Sequence, residues 1–151
     1  VASVAEGQVT YWATGSSTPC IAVFKPYWLT DAPNGMVFPE AQAQDSLSFW
    51  MFRERFHRAV LENRIPNLQH YLGERDALEK ESLQRAAGSI EAGADALVDL
   101  MNYAVEKETA LVTKALAEAE PRPGKLRGNP YFRWYWKNQT RKLLTTPPRL
   151  A

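Results

Sequence analysis

Cysteine and histidine are scarce in this 151-residue chain, charge of one sign hardly predominates, and each shortage excludes a class of chemistry. The single Cys20 rules out an internal disulfide and supplies no thiolate cluster for zinc, while His57 and His70 are too few to build a metal site alone. We therefore expect no metal and no cofactor. No apolar run approaches the roughly 20 residues that span a bilayer. The first residues also lack the basic-then-apolar order of a secretory leader. With 18 basic against 17 acidic residues the net charge is +1, so no overall field gathers nucleic acid or anionic lipid, and any such binding has to be local. The expected partners accordingly include no nucleic acid and no membrane, and the expected compartment is the cytoplasm.

What the chain does have is 45% hydrophobic residues, enough for one ordinary domain with a core. Two strand-like runs flank a turn-rich loop near the start. Val9, Tyr11 and Ala13 alternate with Gln8, Thr10, Trp12 and Thr14, and Ile21, Ala22, Val23 and Phe24 form a short apolar run. Between them, Gly15 tolerates positive φ and Pro19 fixes its own φ, which together predict a β-hairpin. Residues 1–6 read as a further short strand and Gly7 as a turn or bulge. A lone hairpin is marginal in water, so it must pack on helices or join a larger sheet.

The stretch Tyr11-Trp12-Ala13-Thr14-Gly15-Ser16-Ser17-Thr18-Pro19-Cys20-Ile21-Ala22-Val23-Phe24-Lys25-Pro26 resembles the late strand pair of the C69 dipeptidase and secernin group, relatives of the N-terminal-nucleophile hydrolases. Further on, Ser48-Phe49-Trp50-Met51-Phe52-Arg53-Glu54-Arg55-Phe56-His57-Arg58 is similar to the helix that follows in that group. The order and spacing of the two motifs agree, and together they cover about a third of the chain. The resemblance implies an αββα sandwich and a cysteine-type amidase or dipeptidase, acting on a peptide or amide, whose nucleophile is the first residue of the mature chain. Val1 offers no hydroxyl or thiol, and nothing before Val9 corresponds to the family's early strands. The chain therefore reads as a C-terminal, non-catalytic portion, and its expected partner is the missing N-terminal part of the same protein.

The fold expected is α+β and mostly helical: a hairpin region over 1–30, a loop over 31–44, three or four helices over 45–144 and a tail over 145–151. In the loop, Asp31-Ala32-Pro33-Asn34-Gly35 predicts the sharpest turn, and Tyr27, Trp28 and Leu29 before it with Met36, Val37 and Phe38 after it predict a loop pinned to a core. A first helix starts at Asp45 or Ser46 as cap and runs to about Asn63, with aromatics around much of its circumference. A second helical stretch runs from Pro66 to Glu120. Within it Ile90, Ala94, Leu97, Met101, Ala104, Leu111 and Ala115 follow a 4-3 spacing interrupted only by Glu108, the seam of a helix packed on a helical partner. Gly88 or Gly93 marks a bend. Pro121-Arg122-Pro123-Gly124-Lys125 is a linker, Asn129 caps a last helix through Leu144, and Pro147-Pro148 begins the tail.

Cys20 with His57 as base has the ingredients of a thiol nucleophile. The competing expectation is that Cys20 is a small hydrophobe before a buried strand and His57 a hydrogen-bonded structural residue. The run Tyr131-Phe132-Arg133-Trp134-Tyr135-Trp136-Lys137-Asn138-Gln139-Thr140-Arg141-Lys142 is the best local candidate for nucleic acid or an anionic surface. Against it, Phe132, Tyr135 and Trp136 share a helix face and read as packing on the body. With Cys20 and His57 taken as structural, no catalytic, cofactor or metal residue is expected in this chain. A stand-alone helical interaction module is the alternative function. Self-association is expected through Val9, Tyr11, Ile21, Val23 and Phe24 and through the seam, unless the helices fold back over the hairpin.

Overall fold

The computed structural model describes residues 2–5, 8–14, 18–29, 43–122, 124 and 128–145. The expected turns at Gly7, Gly15 and Asp31–Gly35, the pinned loop residues Met36, Val37 and Phe38, and the tail at Pro147 lie outside them.

Three antiparallel strands, β1 (Ala2–Ala5), β2 (Gln8–Ala13) and β3 (Lys25–Tyr27), form one sheet in the order β1-β2-β3. Val4 pairs with Val9 in the first ladder and Trp12 with Pro26 in the second. Pro26 has no N–H to give, which suits the edge position that β3 occupies. The apolar run Ile21–Phe24 is not itself a strand, contrary to the expectation. Pro19–Ile21 form a 3-10 turn, and pairing with β2 begins only at Lys25. Ile21, Ala22 and Val23 are nonetheless buried: the Ile21 and Ala22 N–H groups donate to the Thr18 and Pro19 carbonyls, while Tyr71 donates to the Ile21 carbonyl and the Val23 N–H donates to Glu108. The face of β2 turned inward carries Thr10, which is buried, while Tyr11 is 47% exposed.

Among the described residues four helices follow: α1 (Ala43–Leu61), α2 (Leu68–Ala92), α3 (Ala94–Ala117) and α4 (Pro130–Thr145). The fold is thus α+β and mostly helical. α1 begins two residues before Asp45, so neither Asp45 nor Ser46 is its cap. It ends where Asn63 takes φ 53°, with Asn63 N–H donating to the Val60 carbonyl and Arg64 N–H to the Ala59 carbonyl. Those bonds make a Schellman motif with asparagine in the left-handed position.

The long helical stretch is two helices, broken at Gly93, whose φ of 98° no L-residue adopts easily. Lys114 reaches back to Glu74 and Tyr103 to Glu81, so α2 and α3 run antiparallel as a hairpin. The partner of the 4-3 seam is therefore within the chain. Leu97, Met101, Ala104 and Ala115 are all buried there. Of the strand residues named for self-association, Ile21 and Val23 are buried within the chain, Val9 and Phe24 are half-buried and Tyr11 is exposed.

The segment after α3 returns to the end of α1. Glu120 N–H donates to the Arg64 carbonyl and Gly124 N–H to that of Glu62. Asn129 caps α4, its Oδ1 accepting the Phe132 N–H at 2.8 Å.

Candidate functional site

Two apolar clusters make the core. One gathers Ile21, Phe56, Ile65, Tyr71 and Val112, the other Trp28, Ala86, Leu97, Leu100 and Met101. On α3 the two are separated by Glu108, which is 1% exposed and the centre of a buried ion cluster. Lys25 Nζ of β3 lies 2.5 Å from Glu108 Oε2, and Arg53 Nη1 of α1 lies 3.0 Å from Oε1. The same Oε1 accepts the Val23 N–H at 3.0 Å. One carboxylate thus joins strand, helix and extended segment. Charged groups so far from water persist only when paired, which explains why all three converge.

Around this cluster, helix side chains take the backbone groups of the segment leading into β3. Arg75 donates to the Cys20 carbonyl, Tyr71 Oη to the Ile21 carbonyl at 2.8 Å, and Phe24 N–H to Glu79 Oε1 at 2.8 Å. Further on, the Trp28 N–H donates to Met101 Sδ and its Nε1 to Thr10 Oγ1. Burial pushes the Tyr71 phenol above its ordinary value, against the pull of the Arg53 guanidinium.

A second set lies one turn on along α1. Glu54, 4% exposed, pairs with Arg58 and faces His57 Nδ1 at 3.3 Å. Burial pushes the Arg58 guanidinium down, and Glu54 opposes that shift. The ring of Trp136 from α4 caps this set: Arg58 stacks on it at 4.2 Å and His57 meets it edge-on at 5.5 Å. The expectation that His57 is a hydrogen-bonded structural residue agrees with this geometry.

Cys20 and His57 are not brought together as nucleophile and base. His57 is held by Glu54 and Trp136, while Cys20 is exposed on the 3-10 turn beside Arg75. His70 is exposed, 3.4 Å from Glu74. An open groove of about 790 Å³, between Ile65, His70 and Phe132, holds neither Cys20 nor any member of the Glu108 cluster. Among the described residues no three His, Cys, Asp or Glu side chains group to hold a metal, and no helix is long and apolar enough to cross a membrane.

On α4 the reading of the aromatics as body packing holds for Trp136 alone. Phe132 and Tyr135 lean on the Trp136 ring and stay 38% and 40% exposed. Tyr131 and Trp134 face outward at 70% and 61%.

Sequence reasoning missed Lys25, Arg53 and Glu108 as a group. The available signal was the one charged residue interrupting an apolar seam, because a buried stripe keeps a carboxylate only where cations meet it. Comparison with protein-family models, curated proteins and solved structures gives no match.

Proposed function

We propose that this chain is the C-terminal, non-catalytic part of a cysteine-type dipeptidase or linear-amide hydrolase of the kind the C69 and secernin resemblance implies. One observation supports the reading above all: the two stretches that carry the resemblance converge, Lys25 of the strand motif and Arg53 of the helix motif meeting on Glu108. β1 also has no strand on its outer side among the described residues, the side on which further strands of a sandwich would add. In this role the buried cluster holds the sheet to its helical cover. The nucleophile, its amine base and the oxyanion donors come from the part that precedes this chain, which is its partner, and the substrate is a peptide or amide in the cytoplasm.

The test is to express the whole reading frame that encodes the chain and assay amine release from a panel of dipeptides. A cysteine-initiated mature product that hydrolyses them supports the proposal, with Cys20→Ser leaving turnover nearly intact. A reading frame that starts near Val1, or a complete product with no hydrolysis, would overturn it. The exposed aromatics of α4 favour the second reading, a helical interaction module, and that outcome would leave it standing.

A further inference from the structure

Apart from the Glu108 cluster, the most distinctive surface is the outward side of α4. The helix carries four cations, Arg133, Lys137, Arg141 and Lys142, and no carboxylate. Of these, Lys137, Arg141 and Lys142 are exposed, as are Tyr131 and Trp134, while the opposite side is held to the body through Trp136 and the buried Thr140. At 1.5 Å per residue, the stretch from Tyr131 to Lys142 is about 16 Å long. The Tyr131 and Trp134 rings lean together, centroids 5.9 Å apart and tilted 34°, so they present one contiguous aromatic patch instead of two separate stacking platforms.

We propose that the outward side of α4 docks on an anionic membrane surface, with Tyr131 and Trp134 at headgroup depth and Lys137, Arg141 and Lys142 against the acidic headgroups. Aromatic side chains with a polar handle partition into the headgroup region, and cations beside them add attraction to acidic lipid. A single strand of nucleic acid is the less fitting occupant, because it tracks a charged groove with a free aromatic face for each base, whereas α4 is convex and its outermost rings lean on each other. The net charge of +1 gives no overall field, so the attraction resides in this helix. The proposal does not rest on the hydrolase reading.

The 151-residue chain is sedimented with vesicles of phosphatidylcholine alone and of phosphatidylcholine and phosphatidylserine in equal parts. Binding to the acidic vesicles is expected to be at least about tenfold tighter and to weaken with salt. The double variant Tyr131→Ala, Trp134→Ala is expected to lose about tenfold in binding while keeping its helical circular dichroism, since both side chains are exposed. Should that variant unfold, Lys137→Gln, Arg141→Gln, Lys142→Gln takes its place and is expected to lose the preference for acidic vesicles. Equal binding to both vesicle types, binding unchanged by the variants, or displacement from vesicles by a single-stranded oligonucleotide would overturn the proposal.

Discussion

Lys25 and Glu108, 83 positions apart, meet at 2.5 Å with side chains 1% exposed, and that pair ties the last strand to the helical hairpin. The pair is not alone, since Arg53 brings α1 to the same carboxylate. The buried cluster holds two cations and one anion, so Glu108 is the member whose removal leaves most charge unopposed.

Glu108→Gln keeps the shape and deletes the charge. It is expected to lower unfolding stability by about 3–5 kcal/mol, the usual result of removing one partner of a buried ion pair. Replacing all three members by apolar residues, Lys25→Met, Arg53→Leu and Glu108→Leu, is expected to recover most of that loss, because no buried charge remains to be desolvated. Urea unfolding of the three proteins checks this. A Glu108→Gln variant within about 0.5 kcal/mol of the parent would show that the cluster does not hold the fold together.

Tyr71 supplies the pH prediction. Its phenol is buried, donates to the Ile21 carbonyl and is pushed above its ordinary value of about 10 by burial. Tyr103 is pushed the same way, by its hydrogen bond to Glu81 first and by burial second. A raised native value means the folded chain holds these protons more tightly than the unfolded one. Their contribution is therefore complete below about pH 10 and lost as pH rises through the native values. Thermal unfolding followed from neutral to strongly alkaline pH is expected to show a steeper loss above about pH 10 in the parent than in Tyr71→Phe. At neutral pH the variant is expected to be about 1–3 kcal/mol less stable, because the Ile21 carbonyl loses its buried donor.

The helices were the legible part of this fold, because their caps and apolar spacing act within a few residues. Asn129 and the break at Gly93 are examples, one read from a side-chain acceptor and the other from a residue permitted positive φ. What stayed hidden depends on partners distant in sequence. The run Ile21–Phe24 has a strand's composition, yet its Ile21 carbonyl and its Val23 and Phe24 N–H groups pair with Tyr71, Glu108 and Glu79, and nothing local announces that side chains will replace a ladder. Likewise the 4-3 spacing disclosed a seam without disclosing that the partner was the preceding helix. Glu108 was visible only as an interruption. Its meaning needed Lys25 and Arg53, which arrive from β3 and α1.

Trp136 is expected to be the clasp of α4. Its ring carries Arg58 and meets His57, and the neighbouring Phe132 and Tyr135 rest mainly on it. Trp136→Ala removes that stack and leaves α4 few contacts with the body. Hydrogen exchange is expected to accelerate across residues 130–145 while α2 and α3 stay protected, since regions with little apolar burial open locally without global unfolding. Acceleration spread evenly over all four helices would instead place α4 within one cooperative unit with the core.

Gly88 and Gly93 of the helical hairpin are expected to respond to alanine with opposite signs. Gly88 lies inside α2 with nothing within 4 Å of an added Cβ, so Gly88→Ala meets no clash and restricts the unfolded chain. A gain of about 0.5–1 kcal/mol follows from the difference in helix propensity and backbone entropy. Gly93 has equally open surroundings, but its φ of 98° and ψ of −172° place it in a region that only glycine enters readily. Gly93→Ala is therefore expected to lose about 1–3 kcal/mol, all of it from backbone strain and none from crowding. The contrast separates conformation from packing, because an added Cβ finds open space at both sites. Urea midpoints of the two single variants and of the pair make the measurement, with the double variant falling near the sum if the sites act independently. A stabilised Gly93→Ala would mean that the turn does not depend on the conformational freedom of glycine, and the hairpin would then have to be held by Glu74, Lys114, Glu81 and Tyr103 across the interface.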